Sequence, residues 1–113
     1  MTSRVVVTQS AVTLWVRVTD AARKVRREDR RGGVVEIDFN LANSESVNTY
    51  SRREGDRDFK FLARDTVPPY VDNRPMLVAG KPELREYKAV FVVADKEVSQ
   101  SSDEIAANCA LLV

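Results

Sequence analysis

The residues best suited to chemistry in this chain are four aspartates, three serines, one cysteine and a basic run, and histidine is missing altogether. Without histidine there is no imidazole general base, no Ser-His-Asp or Cys-His nucleophile, and none of the common zinc sites. Asp56, Asp58, Asp65 and Asp72 invite a calcium or paired-carboxylate reading. Their spacing matches no D-x-D-x-D-G loop, and glycosidase chemistry needs two carboxyls about 5 to 10 Å apart in a cleft. Turn chemistry and solubility explain them more simply. Ser99, Ser101 and Ser102 lie in no G-x-S-x-G elbow and read as loop and strand-entry residues. Cys109 sits on an alternating stretch as a small core hydrophobe, and a single cysteine forms no internal disulfide and specifies no redox compartment. Catalytic residues, metal ligands and cofactors are therefore all expected to be absent.

The segment RKVRREDRR at residues 23–31 holds six basic residues in nine. Such a run could contact phosphates. Glu28 and Asp29 interrupt it, however, and no aromatic interleaves it, so a solvated strand edge or arm is the simpler reading and nucleic acid is not the expected partner. The chain carries a net charge of only +1 over 113 residues. Eight Lys/Arg against three Asp/Glu in residues 1–33 give +5, and ten against fourteen in residues 34–113 give −4. An asymmetry of this kind marks a flanking arm distinct from a domain body. No apolar run approaches the ~20 residues of a membrane-spanning helix, and the polar breaks at Gln9, Ser10 and Thr13 argue against a signal peptide.

These residues must be held by elements, and from residue 33 onward a two-residue alternation dominates. In GVVEIDFN, Val35, Ile37 and Phe39 share a face opposite Glu36 and Asp38, the pattern of a half-buried strand. SVNTYSRR is a second strand, and EGDRD, with Gly55 at its tip, is a hairpin loop leading into FKFLARD. VPPYVDN holds two prolines and can only start or edge a strand. In REYKAVFVVAD, Tyr87, Ala89, Phe91 and Val93 fall on one face and Lys88, Val90 and Val92 on the other. DKEV turns, and SDEIAANC is a last strand with Ile105, Ala107 and Cys109 inward. The expected strands are 23–27, 33–40, 46–53, 58–64, 69–72, 85–94 and 103–109. Short strands at this spacing, with no amphipathic helices between them, predict an all-β fold of two antiparallel sheets packed as a sandwich.

VEIDF, VNTYSRREGD, FKFLARDT, PYVDN, PELREYKAVFV and SQSSDEIAAN, taken in order, resemble the strands of a fibronectin type III domain over about three quarters of the chain. Phe39 stands where that family usually has a tryptophan, and the usual proline before the first strand is missing. The resemblance implies an arm or remnant at residues 1–21, a sandwich domain at 22–110, and Phe39 and Phe91 as structural residues. It also implies that Tyr87 is a tyrosine corner, its ring buried and its hydroxyl bonded to backbone a few residues upstream. The expected function is that of a non-catalytic spacer or protein-interaction module in a larger protein or assembly. Two alternatives are a carbohydrate-binding accessory module and a nucleic-acid contact through residues 23–31. The compartment is left open.

Alternation also predicts a contact face. If Val47 and Thr49 point inward, Tyr50 and Arg52 point outward beside Val90 and Val92, forming an apolar patch with a polar handle. Its expected covers are a partner protein or neighbouring domain, a second copy, or the chain's own Val5–Val7 or Trp15. Trp15 itself is expected to be more mobile than Phe91.

Overall fold

In the computed structural model the described residues are 11–19, 34–78 and 81–109. They form strands and connections, with no helix among them. The strands are β1 (Leu14–Thr19), β2 (Val34–Phe39), β3 (Ser46–Arg53), β4 (Lys60–Asp65), β5 (Tyr70–Asp72), β6 (Glu83–Val93), β7 (Lys96–Glu97) and β8 (Ile105–Cys109). They make two sheets. One has the order β1-β2-β5; the other runs β4-β3-β6, with both β7 and β8 pairing along the far side of β6. Every pairing is antiparallel.

The alternation read from the sequence explains the faces. In β2, Val35, Ile37 and Phe39 are buried while Asp38 is exposed. These side chains join Val12 and Leu14 in a cluster with Val47, Tyr87, Ala89, Phe91, Ala107 and Cys109 of the larger sheet, so both sheets feed one core. Met76, from the connection after β5, is part of the same cluster. β6 is the longest strand and is paired on both sides. A central strand is enclosed by its neighbours, which accounts for its nearly unbroken burial.

One boundary is corrected. Residues 1–21 read as an arm or remnant outside the domain, yet within them β1 pairs along the whole of β2, from Leu14 opposite Phe39 to Thr19 opposite Val34. Leu14 is buried in the core, and Arg17 bonds Glu36 directly across the strands at 2.9 Å. Strong β-propensity and the burial of alternate apolar residues are sufficient reason for the segment to join the sheet. Strand β1 is therefore part of the same sheet as β2. The expected strand 23–27 lies outside the described residues.

Two local features shape the larger sheet. Thr49 pairs with Ala63 and Tyr50 with Phe61, so Leu62 is an extra residue in β4, a β-bulge. The β6–β7 hairpin turns on Ala94 and Asp95, whose φ values of 53° and 66° give a two-residue loop suited to strand twist. The last strand then breaks. Residues 88–91 of β6 face residues 98–104, a detour between Glu97 opposite Val92 and Ile105 opposite Tyr87. Across this gap the amides of Phe91 and Ala89 donate to the hydroxyls of Ser99 and Ser102, at 3.0 and 2.9 Å. The expected single strand 103–109 is thus β8 preceded by a detached β7.

Candidate functional site

Val90 and Val92 lie outside the shared core cluster, on the far side of β6, as alternation requires. They are nevertheless buried, with 5% and 1% exposure, and Val5–Val7, one of the covers expected for them, lie outside the described residues. Val92 pairs with Ser46 on one side and Glu97 on the other, and Val90 pairs with Asn48. Long polar side chains span these strands. Arg64 Nε donates to Asn48 Oδ1 at 2.8 Å, Asn48 Nδ2 donates to Glu97 Oε2 at 2.9 Å, and the Tyr50 hydroxyl donates to the same carboxylate. Arg64 also pairs with Asp95. Side chains held in such a lattice lay their apolar stems over neighbouring residues. Alternation places the valines on this outer side of the strand, where a cover is expected over them.

Tyr50 and Arg52 share this outer face, opposite Lys88 and Glu86. Arg52 Nε donates to Glu86 Oε1 at 2.8 Å, and Arg52 Nη2 lies 3.6 Å from Glu104. The Arg52 guanidinium and the Lys88 ammonium stand 4.5 and 4.6 Å from the centre of the Phe59 ring. The face is a charged and aromatic mosaic whose charges are already paired. Hydrogen bonds from Asn48 and Tyr50 hold the Glu97 carboxyl below its ordinary range, and the bond to Glu97 raises the Tyr50 phenol. Tyr50 and Phe61 meet edge to face, with ring centres 5.9 Å apart and planes at 81°.

The strongest concentration of polar chemistry lies inside the molecule, where composition gave no warning of it. Asp72 and Arg85 are fully buried and Glu83 nearly so. Asp72 ends β5, and its carboxylate receives Arg74 through Nε at 2.8 Å and Nη2 at 2.7 Å. Arg85 Nη1 stands 3.4 Å from Asp72 Oδ2, and Arg85 Nε donates to Glu83 Oε2 at 2.7 Å. Arg53 Nε donates to the same Glu83 oxygen at 2.9 Å. The cluster also holds the connection between β5 and β6. Arg85 and Arg53 donate to the carbonyls of Arg74 and Pro75, and Glu83 accepts the Leu77 amide.

Tyr87 belongs to this cluster. Its ring is fully buried, but its hydroxyl donates to Asp72 Oδ2 at 2.6 Å. The expected acceptor was backbone a few residues upstream. A carboxylate replaces it because β5 ends directly beneath β6, and a charged acceptor makes the stronger bond. Phe39 and Phe91, the other two residues read as structural, sit in the shared core.

The electrostatics follow from these contacts. Burial alone would raise the Asp72 pKa; hydrogen bonds from Arg74 and Tyr87, with the charge of Arg85, outweigh it and keep the carboxyl ionised below its usual range. Burial opposes ionisation of Glu83 too, and bonds from the Leu77 amide, Arg85 and Arg53 reverse the effect. Burial and the Asp72 charge push the Tyr87 phenol far up. Burial also raises the Cys109 thiol, against the pull of Arg85. A neutral thiol and saturated carboxylates make poor nucleophiles and bases.

The remaining candidates are scattered. Asp56 accepts the Arg53 amide in the β3–β4 turn at 3.0 Å and stands 3.7 Å from Lys60. Asp65 is half-buried and Asp58 exposed. Among the described residues no group of three or more His, Cys, Asp or Glu could hold a metal ion, and no helix is long and apolar enough to cross a membrane. The basic segment 23–31 lies outside the described residues. No family model matches the chain, and neither does any curated protein or solved structure.

Proposed function

We propose that the chain is a non-catalytic β-sandwich module of the fibronectin type III kind, acting as a spacer or protein-interaction domain within a larger protein or assembly. Support for the fold comes from the strand order. With β7 and β8 counted as one interrupted strand, the seven strands of the described residues divide three and four around a common core. Support for the role comes chiefly from one observation: the buried ionisable groups Asp72, Glu83, Arg85 and Tyr87 bond to one another and to backbone. Chemistry consumed in this way holds a scaffold. Fold analogy supplies the rest.

Cross-linking mass spectrometry on the protein in its native host tests this reading. Links from Lys60, Lys88 or Lys96 to a neighbouring domain or another protein are the expected result. Links confined to the module, together with turnover of any substrate that is abolished by Asp72→Asn in a still-folded chain, would overturn it.

A further inference from the structure

Trp15 is the chain's only tryptophan. It stands on edge strand β1 with 54% of its surface exposed, although indole is the side chain with most to gain from cover. On one side of it lies a groove of about 590 Å³, between the start of β1, the β2–β3 connection and the β6–β7 hairpin. Leu41, Val93 and Val98 make its walls apolar, while Asn40 and Asn43 stand among them with amide groups. A second recess of about 390 Å³ also has Trp15 in its lining, beside Arg17, Glu36, Asp38 and Pro69. The indole thus lines two hollows.

The lining of the larger groove contains no Asp, Glu, Lys or Arg, in a chain of which 31% is charged. Nothing there balances the charge of a nucleotide, a phosphopeptide or an acidic tail. A proline-rich peptide would want parallel aromatic rings forming slots, whereas the other aromatic at the groove, Phe91, is 92% covered, its exposure being 8%. A purely apolar partner would leave the asparagine amides unpaired. The Asn40 carbonyl oxygen accepts the Ala42 amide at 2.8 Å, which leaves its NH2 as donor, and among the described residues nothing bonds the Asn43 amide. The volume falls within the ~300–1,000 Å³ of small-molecule sites, where apolar walls carry a few polar groups that fix orientation.

We propose that this groove binds a neutral carbohydrate. The C–H face of one sugar ring stacks on Trp15, and its hydroxyls pair with the amides of Asn40 and Asn43. A single ring platform suits a short stretch of one or two residues and weak binding, with multiple sites along a polymer adding avidity. The proposal goes beyond the spacer role and does not depend on it.

Because Trp15 is the sole tryptophan, its emission reports the site. The probes are cellohexaose, xylohexaose, chitohexaose and maltohexaose titrated to about 10 mM, with native gels cast in hydroxyethylcellulose, galactomannan or soluble starch. At least one probe should blue-shift the emission, and its parent polymer should retard the protein. Trp15→Ala should abolish retardation, and Asn43→Ala should weaken it about tenfold, both with unchanged urea midpoints. No shift and no retardation with any probe would overturn the proposal, as would retardation that survives Trp15→Ala. A blue shift that instead tracks protein concentration would make the groove an interface between copies and also overturn it.

Discussion

The Tyr87 hydroxyl and the Asp72 carboxylate, 2.6 Å apart, join the two sheets through a single hydrogen bond. Tyr87 belongs to the central strand β6 of the larger sheet, and Asp72 closes β5 of the smaller one. Arg74 adds a second link by donating from Nη2 to both Asp72 and Ser51 of β3, at 2.7 and 3.1 Å. The sheets are therefore fastened by charge at one end and by apolar packing along the rest.

Removing the two partners should have unequal effects. Tyr87→Phe leaves Asp72 with its arginines and should cost about 1.5–3 kcal/mol, the worth of a hydrogen bond to a charged group. Asp72→Ala removes the buried carboxylate that faces Arg85 Nη1, Arg74 and the Tyr87 hydroxyl, and should cost about 3–5 kcal/mol. Urea unfolding of both variants checks the order. A Tyr87→Phe midpoint equal to that of the parent would mean the bond contributes nothing.

Stability should fall at both pH extremes for identifiable reasons. Asp72 and Glu83 have folded pKa values below their ordinary ones. Their contribution is present above the unfolded values of about 3.9 and 4.3, and is lost as pH falls through the folded values. Cys109, Tyr70 and Tyr87 have raised folded values. Theirs is present below the unfolded values of about 8.5 and 10, and is lost as pH rises toward the folded ones. Thermal melts should be flat between about pH 5 and 8. Glu83→Gln should lower the plateau and shallow the acid limb; an unchanged acid limb would remove Glu83 from the account.

Two swaps between valine and threonine should act in opposite directions. The Thr49 hydroxyl is buried without a hydrogen-bond partner, so Thr49→Val should stabilise by about 1–2 kcal/mol. Val92 is 1% exposed, so Val92→Thr should destabilise by about 1–3 kcal/mol. Chemical denaturation of the pair against the parent decides both. A neutral Val92→Thr would restore the exposed contact face that burial argues against.

Strand β1 should behave as part of the domain. Leu14→Ala empties a core position and should cost about 2–4 kcal/mol. Trp15→Ala on the opposite face should change stability by less than about 0.5 kcal/mol. Equal melting temperatures for the two variants would return residues 14–19 to the status of an arm.

Much of the sheet architecture is legible in the sequence because alternation is a local signal. VVEIDF and SVNTYSRR state their faces without help from the rest of the chain. LWVRVT alternates as clearly, but the basic run that follows it separates it in sequence from the strands it joins. The buried ionic cluster is a tertiary event, since Arg53, Asp72 and Arg85 are far apart in sequence and meet only when the sheets close. One signal could have found it. Glu83 and Arg85 share the parity of Tyr87, Ala89 and Phe91, so the inward face of β6 continues into charged residues that only each other could neutralise. Burial of Val90 and Val92 on the outer side of β6 is set by tertiary packing, which no single-strand pattern encodes.

The interruption of the last strand bears on how the module behaves among many copies of itself. A continuous border strand offers a long row of vacant amides and carbonyls to any passing chain, and domain swapping or aggregation follows. Among the described strands, one border of the larger sheet is cut into pieces of two and five residues, β4 forming the other border. Between them the inner strand's amides at Ala89 and Phe91 are capped by the hydroxyls of Ser102 and Ser99. A short, broken border gives an invading strand little to template on, so strand exchange is disfavoured on that side of the larger sheet.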